Sequence, residues 1–127
     1  MALVYRAHFA FSKNPIVNSK GLNTSAVYGF LNTLLELLNK ETPTHIAIAF
    51  DTKTPTFRSE IFPEYKANRE RQPEDIQVAI PIIKQLIKYL KIEILEKDGY
   101  EADDVIGTAS LKLSKKDNTT VFMMTPD

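Results

Sequence analysis

The spacing of apolar residues changes several times along this chain, and each change predicts an element. Val27, Leu31, Leu34, Leu35 and Leu38 recur at helical spacing between Thr24, a good N-cap type, and Lys40. Ile76, Ile80, Ile83, Ile87 and Leu90 step by 4, 3, 4 and 3 residues, an amphipathic stripe opened by Pro73. Pro81 lies inside it and predicts a kink or a restart. Residues 2–11 are dense in apolar and aromatic side chains without alternation and predict a short buried helix. His45 to Phe50 is nearly continuously apolar, as parallel strands covered on both faces are. Ile92–Leu95 and Thr119–Met124 predict two more strands, and Val105, Ile106, Ala109 and Leu113 trace a helix between them. Its last turn is cationic (Lys112, Lys115, Lys116), as the macrodipole favours. Strands alternating with helices define an α/β fold with a mostly parallel sheet.

Two segments stand outside this pattern. Residues 12–23 are rich in Pro, Asn, Ser and Gly and form a loop. Residues 52–71 are polar with no clear period, carrying five cations (Lys53, Arg58, Lys66, Arg69, Arg71) against three acids (Glu60, Glu64, Glu70). Phe57, Phe62 and Tyr65 are interleaved with them, which argues against plain disorder. A long irregular segment in a compact domain is commonly functional.

Composition narrows the field. At 127 residues with 43% hydrophobic content the chain can build one modest core. No run approaches the roughly 20 apolar residues of a membrane span, and the N-terminus lacks a basic leader followed by an apolar core. The absence of cysteine excludes disulfides and thiolate metal sites and fits a reducing compartment. Net charge is zero, but an acidic metal cluster can offset a basic patch elsewhere, so a neutral total does not exclude nucleic acid.

The candidate chemistry sits where the strands end. Asp51 follows the first strand; Glu101, Asp103 and Asp104 follow the second within Gly99-Tyr100-Glu101-Ala102-Asp103-Asp104-Val105; Asp127 follows the third. Sites in open α/β sheets form at the carboxyl ends of strands. Five carboxylates gathered there would repel one another unless cations neutralised them. Oxygen-only ligands suit Mg²⁺ or Mn²⁺ rather than Zn²⁺. Two such ions activate water and stabilise a leaving oxygen in phosphodiester hydrolysis. Each acid taken alone has an ordinary reading, since acids in a first helical turn are favoured by the macrodipole and a lone Asp after a strand is often a turn residue. The weight lies in their coincidence at three strand ends.

The segments Tyr5-Arg6-Ala7, Asn18-Ser19-Lys20-Gly21, Ala49-Phe50-Asp51, Pro55-Thr56-Phe57-Arg58, Pro63-Glu64-Tyr65-Lys66-Ala67-Asn68-Arg69 and Gly99 through Gly107 occur in one order along the chain. With them the chain resembles the 5′-nuclease (5′→3′ exonuclease, flap-endonuclease-like) domain at the N-terminus of bacterial DNA polymerase I. The resemblance implies a PIN-like (resolvase-like) three-layer fold and Mg²⁺- or Mn²⁺-dependent hydrolysis of DNA 5′ ends and flaps by two or more ions. It implies metal ligands at Asp51, Glu101, Asp103, Asp104 and Asp127. Residues 54–73 would form the arch or gateway for the 5′ single strand, with Tyr65 stacking on a base, Lys66 at the scissile phosphate, and Arg69 and Arg58 on neighbouring phosphates. Arg6 would point into the site, and Arg71 is either a phosphate contact or surface charge; the same choice is open for Arg58. His8, His45 and Tyr100 are expected to be structural. The family pattern begins with an Asp-bearing strand before Ala2 and continues beyond Asp127, so the resemblance implies a piece of a domain, incomplete at both ends, with little activity alone. It also implies polymerase domains in the parent chain, replication and repair of DNA as the context, and a cytoplasmic, nucleoid-associated bacterial location without membrane contact. No oligomeric state is specified. A free-standing PIN-like ribonuclease and a non-catalytic nucleic-acid-binding module are the alternatives. A phospho-acceptor receiver domain shares the acids but has no place for the basic-aromatic segment.

Overall fold

A computed structural model of the chain describes residues 1–125, so the expected ligand Asp127 lies outside the described residues. The elements in order are α1 (Ala2–Ala10), α2 (Ser25–Glu41), β1 (Ala47–Ala49), α3 (Phe57–Ile61), α4 (Glu74–Tyr89), β2 (Glu93–Leu95) and α5 (Ala102–Ser114). The fold is α/β, with β1 and β2 paired in a small parallel sheet. The chain divides into two compact units, Met1–Ala47 with Arg71–Glu93, and Ile48–Glu70 with the chain from Ile94 onward.

In the first unit α1, α2 and α4 pack on one another. The Ile stripe of α4 supplies Ile76, Ile83 and Ile87 to the core, joined by Ala79, while its last member Leu90 is exposed. Of the stripe expected in α2 only Leu34 is buried and Leu35 is exposed; α2 meets the core through Ala26 and Phe30, beside Val4 of α1. Each fully buried branched residue contributes about 1.5–3 kcal/mol of transfer free energy. Helices α1 and α2 approach very closely at Gly29, where a Cβ would lie 2.6 Å from Ala7 Cβ and 3.2 Å from Ala7 Cα.

Two expectations are corrected here. Thr24 does stand at the N-cap position of α2, but its side chain makes no capping bond; its hydroxyl donates to the Ile16 carbonyl oxygen at 3.1 Å. The polar anchor is Ser25, only 1% exposed, whose hydroxyl oxygen accepts the Ile16 N–H at 2.8 Å. The loop before α2 therefore folds back on the helix start, and the hydroxyls serve the loop instead of the helix's own amides. Pro81 does not restart α4, which runs unbroken from Glu74 to Tyr89. Pro81 itself is exposed, while Ile76, Ile83 and Ile87 hold the helix through the buried face. The lost backbone bond is thus on the side where water can replace it.

In the second unit β1 is prolonged by the Phe50 N–H, which donates to the Leu95 carbonyl oxygen at 3.0 Å. Phe50 is 1% exposed. The irregular segment 52–71 contains the single short helix α3 followed by turns in which Tyr65, Ala67 and Arg69 donate to the carbonyl oxygens of Phe62, Glu64 and Lys66. The expected strand at 119–124 does not form among the described residues. Phe122 is 83% exposed. β-propensity reports how well a side chain suits a pleated surface, not whether a neighbour exists to pair with. No helix among the described residues is long and apolar enough to cross a membrane.

The residues expected to be structural divide. His8 packs its ring edge-on to Phe9 at 5.1 Å. Tyr100, although half-exposed, packs on Phe57 at 5.6 Å. His45 is exposed. Its Nδ1 lies 3.1 Å from the Thr44 hydroxyl, and the strand it was expected to open begins only at Ala47.

Candidate acidic and nucleic-acid site

The site is built on the start of α5. Gly99 takes φ +84°, a left-handed turn that glycine adopts without strain, and aims the chain into the helix. Glu101 is the N-cap residue and forms a reciprocal capping box with Asp104. Within it the Glu101 N–H donates to Asp104 Oδ2 at 3.0 Å. Asp51, directly after β1, accepts the Ala102 N–H on Oδ1 at 2.9 Å. Three acids thus serve three backbone amides, those of Glu101, Ala102 and Asp104, at a helix N-terminus, where the macrodipole favours negative charge.

The segment around α3 is docked on this helix start. The Phe57 N–H donates to the Gly99 carbonyl oxygen at 3.0 Å. The Arg58 guanidinium forks onto Asp104, Nη1 to Oδ2 and Nη2 to Oδ1, each at 2.7 Å. Its Nη1 also reaches Glu101 Oε2 at 3.2 Å. The guanidinium lies 4.6 Å from the Phe57 ring centre, so its face is covered as well as its edge engaged. Lys66 Nζ forms an ion pair with Glu101 Oε1 and lies 4.9 Å from the Tyr65 ring centre. The Tyr65 hydroxyl is 3.4 Å from both Glu101 oxygens, a long contact.

These contacts fix the charge states. The hydrogen bond from Arg58 holds the Asp104 carboxyl below its usual value, against a smaller opposing effect of burial. The same bond holds the Arg58 guanidinium above its usual range. Partial burial pulls the Lys66 ammonium down, but its hydrogen bonds to Glu101 and Tyr65 outweigh this and leave it raised.

Of the residues expected at the site, the structure brings together Asp51, Glu101, Asp104, Arg58, Tyr65 and Lys66. Asp103 is exposed on the first turn of α5, and Arg69 is exposed three residues beyond Lys66. Arg6 on α1 and Arg71 are exposed in the other unit. Among the described residues no three acidic or histidine side chains are grouped so that they could hold a metal ion. In donor chemistry the acids fit a hard divalent cation, being oxygen ligands only. In arrangement Glu101 and Asp104 are engaged by Arg58 and Lys66. The double grip of Arg58 on the acids was not legible in the sequence beforehand, because its partners lie 43 and 46 residues away.

The family model described as "5'-3' exonuclease, N-terminal resolvase-like domain" matches residues 1–127, and the chain belongs to this family. It is 43% identical over 115 residues to the 5'-3' exonuclease of Aquifex aeolicus (strain VF5), covering 91% of this chain and 39% of that protein. It is 41% identical over 116 residues to DNA polymerase I of Geobacillus stearothermophilus, covering 91% of this chain and 13% of that protein. Over 112 residues it is 40% identical to DNA polymerase I of Treponema pallidum (strain Nichols), covering 88% and 11% respectively. The chain therefore spans well under half the length of these relatives.

Proposed function

We propose that this chain is the metal- and phosphate-handling part of a 5′→3′ exonuclease and flap endonuclease acting on DNA. The observation that supports this best is the meeting of Asp51, Glu101 and Asp104 with Arg58, Tyr65 and Lys66 at one helix start. Acids of this kind attract divalent cations, while cations and an aromatic ring alongside suit a phosphodiester strand.

In this reading Asp51, Glu101, Asp103 and Asp104, with Asp127, would hold Mg²⁺ or Mn²⁺. Ions bound there supply activated water and stabilise the leaving oxygen. Lys66 meets the scissile phosphate and neutralises charge that develops on it. Arg69, with Arg58, holds neighbouring phosphates, and Tyr65 offers its ring to a base of the displaced 5′ strand. Residues 54–73 form the passage for that strand. Arg6 and Arg71 would meet DNA phosphates from their own unit. The partner is DNA with a 5′ end or flap, and relatives named DNA polymerase I support work beside a polymerase region in replication and repair.

The test is a chimaera in which this chain replaces the matching segment of the Aquifex aeolicus exonuclease. With Mg²⁺ it should cut a labelled 5′-flap duplex in preference to single-stranded RNA, and Asp51→Ala and Asp103→Ala should each remove the activity. Preference for the RNA, or full flap cutting by both variants, would sink the reading.

A further inference from the structure

We propose that the segment from Phe57 to Lys66 is a clasp that a divalent cation opens, with Arg58 and Lys66 as built-in counter-cations of the acids. This rests on the reading of Glu101 and Asp104 as metal ligands.

The case begins with oxygen occupancy. Glu101 Oε1 carries the Lys66 ammonium, and Glu101 Oε2 accepts from Arg58 at 3.2 Å. Asp104 Oδ1 and Oδ2 each accept from Arg58 at 2.7 Å, and Oδ2 also takes the Glu101 N–H at 3.0 Å. All four side-chain oxygens of the two acids therefore face a donor, and two positive groups balance two negative ones. A hard divalent cation binds through oxygens of this type and competes with their cationic donors for them. It also repels the guanidinium and ammonium at the same short range. The bound cation and the docked hooks therefore oppose each other.

The clasp has two kinds of attachment. Arg58 and Lys66 are ionic hooks, sensitive to a competing cation. The Phe57 N–H to Gly99 carbonyl bond and the Phe57–Tyr100 ring contact are neutral and insensitive to it. A cation therefore frees the hooks while the anchor keeps them nearby. The released guanidinium and ammonium then lie unpaired beside the metal, positioned for a phosphate. Metal binding and phosphate binding on this chain are consequently coupled, each favouring the other.

The test uses the intact 127-residue chain in two measurements. In the first, Mn²⁺ affinity is measured by calorimetry for the wild type, Arg58→Met and Lys66→Met, with circular dichroism confirming the fold. Removing either competitor should tighten Mn²⁺ roughly threefold or more, because even a part-exposed ion pair opposes the metal by that factor. In the second, amide hydrogen exchange of the peptide spanning 58–70 is followed with and without Mn²⁺. It should quicken with Mn²⁺ in the wild type and be quick already without metal in Arg58→Met. If Mn²⁺ binds but neither variant tightens it and exchange is unchanged, the clasp is refuted while the metal reading stands. Absence of Mn²⁺ binding in the wild type and both variants overturns the metal reading and the clasp with it.

Discussion

The contact between α1 and α2 permits a prediction with a definite sign. Gly29→Ala, inside α2, should by helix propensity alone stabilise the chain by about 1 kcal/mol. The structure says otherwise, because the new methyl would sit 2.6 Å from Ala7 Cβ and 3.2 Å from Ala7 Cα. Ordinary carbon contacts lie at about 3.5–4.0 Å, so the helices must part by about 1 Å. Neither alanine has a rotamer to yield, and the shift must be taken by main chain that also positions Val4 and Phe30. Overpacking of this kind costs about 1–3 kcal/mol. A rigid contact puts the cost at the upper end, and after the propensity gain the net loss is about 1–2 kcal/mol. In urea the midpoint should fall by about 0.5–1 M at unchanged slope. The double variant Ala7→Gly/Gly29→Ala exchanges the methyl between the helices. It should recover to within about 0.5 kcal/mol of wild type, a coupling that additive effects cannot produce. If Gly29→Ala is as stable as wild type or more so, or if Ala7→Gly fails to rescue it, the close approach is not real.

The remaining predictions concern the core and the acids. Ile83 is fully buried, so Ile83→Ala should lower unfolding free energy by about 2–5 kcal/mol and Ile83→Val by only about 0.5–1.5 in the same assay. Asp51→Ala leaves the Ala102 N–H without its acceptor and should cost about 1 kcal/mol, whereas Asp51→Asn retains an acceptor oxygen and should cost less. The pH dependence of the thermal midpoint should show two limbs. Asp104 is held below its ordinary 3.8 when folded, so its contribution is present above that pH and is lost as pH falls through the lowered folded value. Lys66 is held above its ordinary 10.5, so its contribution is present below that pH and is lost as pH rises through the raised folded value. Asp104→Asn should flatten the acid limb and Lys66→Met the alkaline one; a profile unaltered by both substitutions would show that these pairs contribute nothing to stability.

What the sequence made legible was periodicity, and what it hid was partnership. The Ile stripe of α4 identifies its buried face through Ile76, Ile83 and Ile87, since a helix repeats every 3.6 residues whatever it packs on. The Leu stripe of α2 marks a helix but not its buried face, which is Ala26, Phe30 and Leu34 with Leu35 turned outward. The start of α5 was visible from Gly99 and the acids behind it. Thr119–Met124 has the composition of a strand and yet forms none among the described residues, because pairing needs a neighbour that composition does not supply. Thr24 and Ser25 both suit a helix start, and only the folded loop decides that Ile16 takes their hydroxyls. At the site, the acids after the first two strands were readable as a group, but the fork of Arg58 across two of them was not. Arg58 had equal claims as a phosphate contact or a paired surface charge; in the structure it grips carboxylates.

Lys66 carries one further property with a consequence for timing. Its backbone sits at φ 57°, in the left-handed region where a side-chain-bearing residue is strained. Strain of this kind is worth on the order of 1–3 kcal/mol and is relieved once the backbone is free to relax. The ion pair with Glu101 therefore works against a loaded spring. A docked state held under tension releases sooner than one at rest, so the segment's departure from α5 should be quick. Lys66→Met deletes the ammonium and keeps the strain, whereas Lys66→Gly removes both, so the difference between the two variants isolates the spring from the hook.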